Sequence, residues 1–135
     1  MIKPHYDIFI LKSDLFDSGT SGNNWLFGFG SDNMSVSSLF RFENGITNDK
    51  QLQIECFKTI VMHEICHMFG VVRKNRNDIV YSLGWHCTDG NCIMRQGLDI
   101  DTWIKYTRER LRVKNPLCLH CQQDLQDFVN RARIS

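Results

Sequence analysis

No stretch of this chain approaches the roughly twenty consecutive apolar residues needed to cross a bilayer. The opening residues include Lys3, Pro4, His5 and Asp7, where a secretory leader would need an unbroken apolar segment. Excess charge is missing too: sixteen basic residues face fifteen acidic ones, a formal net charge of +1. No general attraction to nucleic acid or to an anionic membrane is therefore expected. Internal repeats, low-complexity tracts and a convincing linker are also absent. Together these absences predict a cytoplasmic protein with a single domain over residues 1–135, and neither membrane nor nucleic acid as a partner. In a reducing compartment its six cysteines read as metal ligands or buried thiols and not as a disulfide framework. What is present is ordinary globular usage, 42% apolar and 23% charged over 135 residues, enough for a real core.

The first part of the chain is rich in strand formers. Residues 6–11 (Tyr-Asp-Ile-Phe-Ile-Leu) read as a buried strand, and residues 23–29 as a second, introduced by the Gly and Ser of 18–23. Residues 35–42 follow the turn signal Ser31-Asp32-Asn33 and predict a hairpin with the second strand, their serines suggesting an edge. After Asn44-Gly45, a helix is expected over 48–69, capped by Thr47 or Asn48, with Leu52, Phe57, Ile60, Val61, Ile65 and Met68 at three- and four-residue spacing. Gly70 ends it, because glycine tolerates the left-handed conformation that turns the chain away. Residues 71–85 form a polar excursion whose basic run, Arg73 to Arg76, reads as a solvated loop. A polar helix from Asp99 or Asp101 to about Val113 comes next. A last amphipathic helix carries Leu125, Phe128 and Val129 on one face.

The predicted helix over 48–69 contains His63-Glu64-Ile65-Cys66-His67. Residues four apart on a helix are stacked neighbours, so both imidazoles can reach one metal ion while Glu64, one step round, lies beside it. That is the HExxH zinc-peptidase pattern, with Glu64 as general base on a zinc-bound water. Five His and four Glu in random order would produce it in roughly one chain of this length in two hundred. The bland reading is a helix whose two histidines happen to share a face.

A catalytic zinc typically takes three protein ligands and leaves the fourth position open. The remaining candidates are His5, His86, His120 and Glu109, and His86 is favoured because it lies on the chain returning beneath the motif. Met94, eight residues further on, can form an apolar floor, although a single Met is more often core filling. Cys87 and Cys92 form one pair and Cys118 and Cys121 another, which together can make a closed, structural Cys₄ zinc site. Cys56 and Cys66, within the motif helix, read as ordinary buried thiols, and His120 as an exposed spectator.

HExxHxxG, then His86-Cys87, Cys92, Met94 and the later Cys118-x-x-Cys121 resemble the archaemetzincins, zinc peptidases of the metzincin clan with a second, Cys₄ zinc. Residues 24–28 and 36–41 resemble that family's two strands before the motif helix, and 6–11 an earlier core strand, so the likeness covers roughly residues 5–130. The resemblance implies a compact α+β metzincin-like domain. A small mixed sheet would pack on the motif helix within 1–70, and a Met-turn and structural-zinc part would fill 71–135. It also implies two zinc ions, with His63, His67 and His86 as catalytic ligands, Glu64 as general base, Met94 in the Met-turn, and Cys87, Cys92, Cys118 and Cys121 as the structural site. The chain departs from the family in two places. Where metzincins carry the third His, three residues after the glycine, this chain has Arg73, which reads as an insertion of thirteen residues before His86. The family's first strand and helix also have no counterpart.

The expected activity is hydrolysis of peptide or protein substrates, with the edge at residues 35–42 receiving an extended peptide. Two rivals stand beside it. One is a zinc-stabilised binding module with a vestigial site, using the loop around Arg73 to Arg76. The other is a gluzincin-type peptidase with Glu109 as third ligand.

Overall fold

The computed structural model describes residues 5–17 and 24–134; the Gly and Ser of 18–23 that were expected to introduce a strand lie outside them. β1 (Asp7–Leu11) runs parallel to β5 (Met34–Ser38), and β4 (Gly28–Ser31) lies antiparallel on the other side of β5. The result is a mixed three-stranded sheet in the order β1-β5-β4.

This order corrects two expectations. The serine-rich strand is central, and its serines are not solvent markers: Ser35, Ser37 and Ser38 are fully buried. They are small side chains where the sheet lies on the long helix, and Ser38 Oγ donates to the Ser13 carbonyl at 2.7 Å. β1 is instead an edge strand, with Ile8, Phe9 and Ile10 45–60% exposed. An apolar run predicts a strand but not its place in the sheet, which is set by pairing with residues far away in sequence.

The expected strand over 23–29 breaks at Phe27. Before it, β3 (Asn24–Leu26) pairs with β2 (Leu15–Asp17); after it, the chain continues as β4. Phe27 turns inward to stack on Phe42, ring centroids 5.0 Å apart. Phe42 belongs not to a strand but to α1 (Phe40–Gly45), whose first turn is fixed by the Phe42 and Glu43 N–H groups donating to the Leu39 carbonyl. The strand-like sequence of 39–42 thus yields to complete burial of the Phe42 ring.

α2 (Lys50–Met68) carries the motif. Its cap is Asp49, which accepts from the Leu52 N–H at 2.9 Å, one or two residues beyond the caps expected from sequence. Gly70 ends the turn after it at φ +77°, as its conformational freedom allows. The buried face of α2 is Gln53, Cys56, Thr59, Ile60, His63, Glu64 and Met68, while Leu52, Phe57, Val61 and Ile65 are only half-buried beside it. Of the expected apolar stripe only Ile60 and Met68 lie on the inner face, which they share with Cys56 and the polar Gln53, Thr59, His63 and Glu64.

α3 (Ile100–Arg110), capped by Asp99, lies along α2, joined by a Thr59–Thr107 hydroxyl hydrogen bond of 2.8 Å and an Arg110–Glu55 ion pair of 2.6 Å. Phe27, Phe42, Ile46, Cys56, Ile60 and Trp103 form one core beneath the sheet.

Residues 71–85 are not a solvated loop. Val71 and Val72 are buried, and β6 (Ile79–Tyr81) pairs with β7 (Trp85–Cys87) in a hairpin that the sequence reading did not anticipate. Arg73 and Arg76 are engaged by carboxylates, Arg73 with Asp127 at 2.8 Å and Arg76 with Asp78 and Asp124 at 2.7 and 2.8 Å. α4 (Leu119–Ile134) closes the second core, which holds Val71, Val72, Ile93, Met94 and Leu117. Its Phe128 stacks on Phe69 just after the motif, at 4.4 Å. Among the described residues no helix is long and apolar enough to cross a membrane.

Candidate functional site

Helical geometry puts His63 and His67 on one face of α2, with their Nε2 atoms 3.1 Å apart. β7 brings His86 Nε2 to 3.3 Å from that of His67, and one donor atom from each of the three rings lies within 4.8 Å of the others. Ligands at ~2.0–2.1 Å around a tetrahedral zinc are ~3.3 Å from one another, so the spacing fits one ion. Two of the outer nitrogens are occupied as metal-binding histidines need. His63 Nδ1 donates to the Ile93 carbonyl at 2.6 Å and His86 Nδ1 to the Gly84 carbonyl at 3.1 Å, which leaves each Nε2 lone pair facing inward. Burial, then the neighbouring imidazoles, hold His63 far below its ordinary pKa and His67 down at about 3; burial also lowers His86. The three rings are neutral at physiological pH, the form that binds metal.

Glu64 is buried beside them, and its carboxylate has no hydrogen-bond or ion-pair partner among the described residues. Burial pushes it up to about 8. The strand above it explains how it is covered. A Cβ on Gly28 would meet the Val36 carbonyl oxygen and come within 2.9 Å of Glu64 Cγ, and a Cβ on Gly30 would meet the Glu64 carbonyl and come within 2.9 Å of His67 Cβ. Two glycines spaced two apart put both gaps on one face of β4, allowing its backbone to lie directly on the motif. A cleft of about 790 Å³ opens there, lined on one side by Gly28, Phe29 and Gly30, on the other by Leu83, Gly84 and His86, with Glu64 and His67 at its floor.

A second cluster joins the four paired cysteines. Their sulfurs lie within 4.8 Å of one another, with Cys87 and Cys118 Sγ 3.7 Å apart, and all are free thiols. Thiolates ~2.3 Å from a tetrahedral zinc are ~3.8 Å apart, so these donors also fit one ion. Hydrogen bonds with Cys121 and Cys92 hold the Cys87 thiol far below its ordinary pKa, and hydrogen bonds with Cys87 and Cys92 push Cys121 up. Met94 is fully buried, and its carbonyl accepts the Cys87 N–H at 2.9 Å. It thereby ties this cluster to the turn whose Ile93 carbonyl holds His63.

The structure thus gathers His63, His67, His86 and Glu64 in one place and Cys87, Cys92, Cys118 and Cys121 in another. Glu109 is in neither cluster; its carboxylate is paired with Arg95, whose guanidinium lies over the Tyr106 ring. His120 is exposed and bonded to Asp78 at 2.8 Å. Cys56 is buried and Cys66 half-buried. Sequence reasoning passed over Trp103, whose ring meets His63 edge-on at 5.1 Å, and it passed over Gly28 and Gly30. The alternate glycines were the available signal for a close approach; Trp103 had none, since nothing local distinguishes it from any core aromatic.

A mixed sheet is laid on the motif helix, with a third histidine returning from a later hairpin, in an α+β fold. No family model matches the chain, and no curated protein does. Among solved structures, the crystal structure of archaemetzincin from Methanopyrus kandleri matches with a TM-score of 0.65 and 24% sequence identity, over 92% of this chain and 56% of that one. The fold is therefore archaemetzincin-like, and the chain spans little more than half the length of that structure.

Proposed function

We propose that this chain is a zinc-dependent metallopeptidase domain with two zinc sites, one catalytic and one structural, acting on peptide or protein substrates in the cytoplasm. The observation that carries the reading is the convergence of three neutral imidazoles beside a buried carboxyl group with no partner among the described residues. A structural three-histidine site has no use for a desolvated carboxylate next to it, whereas hydrolysis needs a base there. His63, His67 and His86 would hold the catalytic ion, and the four cysteines the structural one. When bound, the catalytic zinc would polarise a scissile carbonyl and acidify an attacking water. Glu64 would take the proton of that water and pass it to the leaving amine nitrogen. The outer edge of β4, and not residues 35–42, would receive an extended peptide as an added strand, since β5 has neighbours on both sides. Gly28 and Gly30 would keep that peptide's main chain low over the motif.

Glu64→Gln is expected to keep the fold and two zinc equivalents while lowering hydrolysis of an unstructured protein by ~10²–10⁴-fold, the usual worth of a general base. Wild-type activity in that variant would overturn the assignment. His86→Ala should lose one zinc and keep the cysteine-bound one, whereas Glu109→Ala should keep both. A wild-type protein that holds both zincs but cleaves nothing is a binding module instead.

A further inference from the structure

Arg76 belongs to the segment that reads as a solvated basic run, yet its side chain is only 11% exposed, and all five of its N–H donors are used. Nε donates to Asp78 Oδ1 at 2.8 Å, one terminal nitrogen donates to Asp78 Oδ2 at 2.7 Å and to Cys87 Sγ at 3.4 Å, and the other donates to Asp124 Oδ2 at 2.8 Å and to Cys121 Sγ at 3.2 Å. Its fork is thus set between two carboxylates and two sulfurs. The carboxylates are themselves oriented: Asp124, nearly buried on α4, accepts the Val72 and Arg73 N–H groups at 3.0 Å, and Asp78 accepts from His120 at 2.8 Å. The other donors to the sulfurs are backbone groups. Asp89 N–H points to Cys87, Cys118 N–H to Cys92 and Cys121 N–H to Cys118, at 3.4 to 3.5 Å. Apart from the other cysteines, Arg76 is what hydrogen-bonds the Cys121 sulfur among the described residues.

We propose that Arg76 is a positioning residue for the cysteine metal site, donating hydrogen bonds from one guanidinium to the Cys87 and Cys121 thiolates and so raising the site's hold on its ion. This rests on the reading of the four cysteines as a zinc site. Four thiolates around a divalent cation carry two negative charges in excess. In a buried site, N–H donors to sulfur disperse that charge, and charge-assisted bonds are the strong ones. Lysine cannot replace this arrangement, because its point charge cannot reach two sulfurs and two carboxylates together. The segment before His86 therefore has a task in the chain: it carries the guanidinium that ties the Cys87 end of β7 to the Cys121 end of α4.

The test is metal competition and cobalt spectroscopy on the full chain. Arg76→Gln should weaken cysteine-site zinc affinity, read by competition with a chromophoric chelator, by ~10–100-fold, the usual effect of removing an outer-shell partner. In the cobalt-substituted protein its sulfur-to-cobalt charge-transfer band should move to longer wavelength, because sulfur lone pairs rise in energy when their N–H donor is lost. A loop that merely anchors the fold would leave that band in place. Arg76→Lys should fall between, and it carries the test if the Gln variant does not fold. Wild-type affinity and band position in whichever variant is folded overturn the inference alone. A wild-type chain with no cysteine-bound metal overturns it together with the assignment of the cysteines as a zinc site.

Discussion

At Gly30 a single hydrogen atom decides how close β4 comes to α2. The strand crosses the helix where the Glu64 backbone and His67 Cβ already fill the space a methyl group would need. Its φ is unremarkable, so the demand is steric and not conformational, and the helix backbone opposite cannot swing aside as a flexible side chain could. Gly30→Ala is accordingly expected to lower stability by ~1–3 kcal/mol, the usual cost of overpacking, read as a shift in denaturant midpoint. An alanine protein as stable as wild type would mean that strand and helix are not held in this contact. Ser35 shows the opposite case: its hydroxyl is buried with no partner among the described residues, and the structure offers no account of it.

At the scale of elements, the second core is held by what joins β7 to the start of α4. The elements are short: β6 and β7 have three residues each, and a two-stranded ribbon of that length has little stability of its own. The four cysteines lie between this hairpin and α4, with Cys87 and Cys92 on one side and Cys118 and Cys121 on the other. Metal held there would be folding energy for that half, because the ligands are gathered only when the segments are in place. Replacing Cys118 and Cys121 by Ser should remove one zinc equivalent and lower the melting temperature. Retention of both zincs with an unchanged melting temperature would refute the coupling.

For the whole molecule, the buried groups around the motif set how stability depends on pH once metal is removed. The three histidines have folded pKa values depressed from about 6.5, His67 to about 3. As pH falls below about 6.5 the unfolded chain gains protons that the folded chain refuses, so stability falls. Glu64 acts with the opposite sign. Its carboxyl is raised to about 8 from about 4.5, so the folded chain takes up a proton first, and stability rises as pH falls through about 8. Three rings outweigh one carboxyl, and the metal-free protein should be most stable near pH ~6.5, falling on both sides. Denaturant midpoints of chelator-treated protein across that range give the curve, and a midpoint that climbs steadily toward acid would contradict it.

What the sequence determined by itself is what a short stretch of chain can encode. His63 and His67 share a face because the helical period places residues four apart together, Gly70 stops the turn because glycine tolerates the φ of +77° found there, and of the two caps offered, Asp99 and Asp101, Asp99 caps α3 through the Thr102 N–H. The two cysteine pairs were legible in the same local way, whereas the α+β class was what the family resemblance implied. Tertiary structure decided the rest. β5 is central and β1 an edge, Phe42 is helical, the inner face of α2 mixes polar with apolar groups, and Arg76 lies between sulfurs and not in water. Each of these depends on partners tens of residues away, such as Asp124 for Arg76, or Thr107 and Trp103 for the inner face of α2. Periodicity reports that a residue will face something; which surface meets it is fixed only when the distant segments pack.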